Sequence, residues 1–158
     1  MGISRGDKKR NLNFIMSFIR TFDVLNRYLE LELFKYKTSP IRFAVMNAMI
    51  VHGGQMTPTA ISKWTYRSPR TITSMLDSLE QDGLIRREPN TKDRRSINAV
   101  VTEKGWEHTS KLIPAVDRID QRALSCLSED ELNTLNNIHK KLRKHVLVEI
   151  DKSNAGTQ

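Results

Sequence analysis

A single cysteine, Cys126, stands in the 158 residues, so no internal disulfide and no cysteine-based zinc site can form, and a reducing compartment is expected. No apolar run approaches the ~20 residues of a membrane span. The opening MGISRGDKKR lacks the apolar core of a secretory signal, and Gly6 stands where a myristoylation signal wants Ser or Thr. The chain is therefore read as cytoplasmic, with no membrane partner. Glycine-rich phosphate loops are missing. The four histidines, His52, His108, His139 and His145, form no i, i+4 pair and no metal-site pattern. With no nucleophile, base or metal constellation converging, neither an enzyme nor a cofactor is expected. Internal repeats and low-complexity tracts are also absent.

What the chain has in excess is positive charge. Its 26 Lys and Arg against 18 Asp and Glu leave a formal net charge of +8 and an isoelectric point near 9.8, which favours a polyanionic partner. Charge alone does not separate nucleic acid from an anionic membrane surface. A chain of this length has room for one domain, or a small domain with an appended helical region, and buries roughly 70% of its unfolded surface.

Apolar spacing predicts helices with one short interruption. Leu12, Ile15, Ile19, Phe22, Leu29 and Leu33 form the stripe of one long amphipathic helix. SPIRFAVMNAMIVHGG opens on Ser39 as N-cap with Pro40 in the first turn and closes on Gly53 and Gly54, a mostly buried helix. TPTAISKW repeats the device with Thr57 and Pro58. SPRTITSMLDSLEQDG repeats it again with Ser68, Pro69 and a terminal Gly83, the two short helices meeting near Thr65 to Arg67. After Gly83 the period falls to about 2, and LIRREP and SINAVV read as a β-hairpin. Helical spacing returns in Trp106, Thr109, Ile113, Val116 and Ile119, on a helix that Pro114 should kink or reorient. LSEDEL starts a last helix, with Ser128 and Glu131 at capping-box spacing. The tail DKSNAGTQ reads as frayed, and the cluster KKLRKH, Lys140 to His145, as a solvated helix end.

Helix, short helix, short helix and hairpin make a winged helix-turn-helix: a mainly α fold with a small β-hairpin wing. On the third of these helices Ile72, Met75, Leu76 and Leu79 share one face, while Arg70, Thr73, Ser74 and Asp77 lie on or near the other. A narrow polar face of small side chains fits a major groove, where the backbone can approach base edges and Arg70 can reach a guanine or a phosphate. Arg67, Ser68 and Thr71, at the helix N-terminus, lie where phosphate is favoured. A solvated helix face is the plain alternative. NTKDRRSINAVVT then reads as the wing tip and return strand. Asp93 two residues before Arg95 can hold that guanidinium in one orientation for a minor groove, with Lys92 and Arg94 against phosphates. An ordinary surface ion pair is the alternative there.

RTITSMLDSLEQDGLIRREPNTKDRRSINAVVTEKG, with its Asp-x-Arg at Asp93 and Arg95, and the Leu-Ser-x-x-Glu-Leu start of the last helix resemble the MarR-type transcriptional regulators. The resemblance covers nearly the whole chain. It implies a homodimer made by the first and last two helices, and paired winged domains gripping a pseudo-palindromic DNA operator. Ser74 departs from the arginine frequent at that place, and Trp64 with Tyr66 makes the turn unusually aromatic.

The expected organisation is an N-terminal helix in the dimerisation region over residues 1–36, a winged DNA-binding domain over 37–102 and C-terminal dimerisation helices over 103–158. Wide apolar stripes at both ends, including Leu132, Leu135, Ile138, Leu142 and Val146, independently call for a symmetric partner, packing within one monomer being the alternative. The expected function is an operator-binding repressor released by a small molecule. A nonspecific DNA-coating protein and a redox-sensing regulator acting through Cys126 are the alternatives, although Leu124 and Leu127 suggest a buried, inert thiol. The family resemblance further implies an aromatic or phenolic effector, for which Phe22, Tyr36 and Phe43 are candidate lining residues; core packing explains them equally well.

Overall fold

A computed structural model describes residues 5–90 and 96–155. Its elements are α1 (Arg5–Phe34), α2 (Pro40–Val51), β1 (Gln55–Met56), α3 (Pro58–Thr65), α4 (Pro69–Gln81), β2 (Ile85–Pro89), β3 (Ile97–Val101), α5 (Glu103–Leu124) and α6 (Glu129–Ala155). The chain divides after Ile119 into two compact units. The first holds the winged helix-turn-helix.

Three helices start in the same way. Ser39, Thr57 and Ser68 each sit in extended backbone ahead of a proline, and each hydroxyl accepts from the amide three residues on, at 3.3, 3.2 and 3.2 Å. Each cap stabilises by ~1 kcal/mol, and proline loses nothing where the N–H has no helical partner. The turn after α2 depends on Gly54 for two reasons. Its φ is +83°, and a Cβ there would stand 2.9 Å from the Trp106 ring. Among the described residues two enter the same left-handed region without glycine's freedom: Lys37 after α1, and Tyr66 at the end of α3 with φ 54°. Each costs roughly 1–2 kcal/mol.

The core of the first unit joins Val45, Ala48 and Met49 of α2, Ile61 of α3, and Ile72, Leu76 and Leu79 of α4 to Leu84, Ile85, Ala99 and Val101. Leu76 and Leu79 are fully buried, so truncating either to alanine costs about 2–5 kcal/mol. The wing strands are antiparallel, with Ile85 opposite Val101 and Arg87 opposite Ala99. A third strand, β1, pairs with the other edge of β3, Gln55 opposite Val100 and Met56 opposite Ala99. Sequence spacing predicts only the hairpin, because two residues are too few to display an alternation.

Pro114 does not end α5, which is one helix from Glu103 to Leu124. The proline lies on the exposed side, where solvent stands in for the amide it lacks. Gly105, Thr109, Leu112, Ala115 and Ile119 form the buried face. α6 opens on the predicted capping box: the Ser128 amide donates to the Glu131 carboxylate at 2.8 Å, and the Glu131 amide to Ser128 Oγ at 3.3 Å. Bonds from the Ser128 amide and hydroxyl hold the Glu131 carboxyl below its ordinary pKa.

Three expectations are corrected here. α6 runs to Ala155, so the tail is not frayed from Asp151; Lys152 pairs with Glu149 at 2.8 Å and Ser153 Oγ donates to the Glu149 carbonyl at 2.9 Å. The basic cluster from Lys140 to His145 consequently lies in mid-helix, not at a helix end. Cys126 is exposed, not buried. α5 stops at Leu124 and α6 starts at Glu129, so Cys126 falls in the turn between them and not on the apolar face of a helix.

Candidate nucleic-acid interface

The buried residues Ile72, Leu76 and Leu79 fix the rotation of α4 about its axis. Arg70, Thr71, Thr73 and Ser74 are thereby left exposed, and Arg67 and Ser68 are exposed just ahead of the helix. The hydroxyls are not equivalent. Ser68 Oγ caps the helix and lies 2.8 Å from Thr71 Oγ1, while Thr73 Oγ1 donates to the Pro69 carbonyl at 3.0 Å. Thr73 therefore has its donor committed and its acceptor lone pairs free.

Two arginines absent from the sequence-based site hold α4 in place. Arg42, on α2, donates from Nη1 to Ser78 Oγ at 2.7 Å and pairs through Nη2 with the Asp82 carboxylate. Arg87, on β2, grips from the wing side, with Nη2 on Asp77 at 2.6 Å and Nη1 on Glu80 at 2.8 Å. Its amide also donates to Glu80 Oε1 at 3.1 Å. Asp77 is thus committed to the wing strand and is not a free member of the exposed face. Period 2 was the available signal for Arg87. It lies on the strand face of buried Ile85, whereas Arg86 and Glu88 pair with each other on the opposite face. Arg42 falls four and seven residues before buried Met46 and Met49, and a cation on an apolar stripe needs a carboxylate.

The C-terminus of α4 is tied to the start of α5. Lys104 Nζ donates to the Asp82 carbonyl at 2.7 Å and Thr102 Oγ1 to the Gly83 carbonyl at 2.8 Å, placing a cation where the helix dipole favours one. At the wing, the Asn90 amide donates to the Ser96 carbonyl at 3.1 Å and its side chain to Ser96 Oγ at 2.9 Å, closing the strand ends. The tip residues Lys92, Asp93, Arg94 and Arg95 lie outside the described residues.

A cavity of about 10 Å³ lies among Arg42, Phe43, His108 and Thr109. It has room for about one water molecule. Of the aromatic residues predicted to line an effector cleft, Phe43 borders it, while Phe22 and Tyr36 are exposed elsewhere. Burial, then the charges of Arg42 and Lys104, lower the His108 pKa, with Asp82 opposing and Lys111 adding to them. Among the described residues no group of three or more His, Cys, Asp or Glu could hold a metal, and no helix is long and apolar enough to cross a membrane.

Known proteins share this fold. The chain is 32% identical to the HTH-type transcriptional repressor MdtR of Bacillus subtilis, over 68% of this chain and 69% of that protein. An organohalide-sensing transcriptional regulator, crystallised with 2,4-dichlorophenol, superposes with a TM-score of 0.78 at 19% identity, over 93% of this chain and 88% of that one. A mutant of Escherichia coli MarR complexed with operator DNA superposes with a TM-score of 0.74 at 22% identity, over 89% of this chain and 99% of that one. The model of the MarR family matches residues 48–97, from within α2 to the start of β3. Together with the winged helix-turn-helix and its exposed α4 face, these likenesses make the chain a member of the MarR family of transcriptional regulators.

Proposed function

We propose that the chain is a sequence-specific repressor that binds a pseudo-palindromic operator as a homodimer and is released by a small aromatic or phenolic molecule. The observation that carries this reading is the divided surface of α4, with Ile72, Leu76 and Leu79 locked in the core and Arg70, Thr71, Thr73 and Ser74 in solvent. Small side chains let the helix lie deep in a major groove. Arg70 addresses a guanine or a phosphate, and Thr73 accepts from a base amine. Arg67 and Ser68 meet the phosphates at the helix N-terminus. Lys92 and Arg94 take wing phosphates, and Arg95, oriented by Asp93, enters the minor groove.

Two further observations support the rest of the reading. α1 exposes Phe14, Ile15, Phe18 and Phe22, and α6 exposes Ile138, Leu142 and Val146; a second copy of the chain is the simplest cover for such faces. The organohalide-sensing neighbour accommodates a chlorinated phenol, which favours an effector of similar chemistry. The cavity beside Phe43 would have to open to admit one.

Selection from a random pool of duplexes, followed by sequencing of what the protein retains, tests the proposal. The expected result is an inverted repeat that survives competition with unrelated DNA. Retention without a motif would replace the repressor with a nonspecific DNA-coating protein.

A further inference from the structure

The turn between α3 and α4 holds a feature that base reading by α4 does not explain. Tyr66 caps α3 in the left-handed conformation, at φ 54° and ψ 33°, a position where glycine is the relaxed choice. The strained backbone is pinned, not loose. The Tyr66 amide donates to the Ser62 carbonyl, the Arg67 amide donates to the same carbonyl at 3.2 Å, and Ser62 Oγ donates to the Arg67 carbonyl at 2.6 Å. Nothing in the core is gained from the side chain, which is 60% exposed. Its neighbour Trp64, by contrast, meets the His52 ring edge to face at 6.0 Å. A costly backbone state is thus retained for a ring that packs on little of its own protein.

The residue's place in the chain supplies the reason. Tyr66 stands two residues before the N-cap of α4, directly ahead of exposed Arg67 and four residues before exposed Arg70, neither of which joins an ion pair among the described residues. A helix that enters a major groove by its N-terminal end brings that turn against the sugar–phosphate backbone along the groove edge. A tyrosine there offers an apolar face to deoxyribose and an O–H to a phosphate oxygen. We propose that Tyr66 is a DNA-contacting residue that packs on the sugar and donates its hydroxyl to the phosphate bordering the groove read by α4. The inference rests on the operator-binding reading and adds a contact that positions the protein without reading sequence.

The Tyr66→Gly and Tyr66→Phe variants of the full chain separate this role from a structural one. Glycine relieves the left-handed strain, so Tyr66→Gly should melt no lower than the parent. Its affinity should nevertheless fall about tenfold, the value of a hydrogen bond to a charged group with its packing. The loss should be equal on a duplex selected by the parent from random DNA and on its scrambled counterpart, because a sugar–phosphate contact carries no sequence information. The salt slope should not change, since tyrosine displaces no counterion. Tyr66→Phe should show part of the loss. If the parent binds both duplexes and Tyr66→Gly binds them equally well, or loses affinity for the selected duplex alone, the phosphate contact is refuted while operator binding stands. A parent that binds neither duplex overturns both.

Discussion

At the scale of single residues, the wing pair Asp93 and Arg95 offers the most discriminating test of DNA binding. Arg95→Ala should weaken operator binding by about 1–3 kcal/mol and lower the salt slope by about one. Asp93→Ala should weaken it as well, because an acid that orients a guanidinium contributes more than its repulsion of phosphate removes. Fluorescence anisotropy across several salt concentrations reads both. Tighter binding by Asp93→Ala would reduce the tip to a charged loop near DNA. His108 makes a different prediction. Its folded pKa lies below the ordinary 6.5, first because it is partly buried and then because Arg42, Lys104 and Lys111 outweigh Asp82 around it. The unfolded chain therefore takes up a proton that the fold resists. The stabilisation from a neutral imidazole is whole above pH 6.5 and declines as the pH falls below it. Urea midpoints at pH 7.5 and 5.5 should differ less in His108→Gln than in the parent, and an unchanged difference would assign the acid sensitivity to other groups.

At the scale of elements, α4 is fixed by apolar burial on one side and by two arginines on its flanks. Arg87→Met should lower stability by about 1 kcal/mol, since its carboxylate partners are partly solvated. The effect on DNA should be larger than that figure implies, because Asp77 and Glu80 would then face a polyanion without a counter-charge. Equilibrium unfolding and anisotropy on one protein sample separate the two, and affinity falling no further than stability would make Arg87 a simple brace. How legible the elements are in the sequence depends on whether the cause is local. Ser39, Thr57 and Ser68, each directly ahead of a proline, announce the starts of α2, α3 and α4, and period 2 announces β2 and β3. β1 is not legible because Met56 is strand only by virtue of pairing with Ala99, far along the chain. The same holds within the site. Arg70, Thr73 and Ser74 follow from the rotation of one helix, but Arg42 and Arg87 matter through Ser78, Asp77 and Glu80, partners that only the folded chain brings near.

At the scale of the whole molecule, the proposed two-fold assembly fixes a length on the DNA. Recognition helices related by the two-fold axis should meet successive major grooves on one side of the duplex, with half-sites centred about 10 bp apart. Inserting roughly five base pairs between them should abolish tight binding, because half a helical turn sends one half-site to the far side. Survival of affinity after the insertion would refute the docking. Sedimentation at micromolar concentration should likewise give twice the 18.2 kDa of one chain, and a stable helical monomer would remove the dimer. The bare side chains along α1, from Leu12, Phe14 and Ile15 to Phe22, Leu25 and Leu31, have a consequence for the handling of the protein as well. A lone chain presenting that face is surface-active: it should coat vessel walls and light up an environment-sensitive apolar dye. Dye fluorescence per chain should therefore rise as the solution is diluted, marking the concentration at which one molecule loses another.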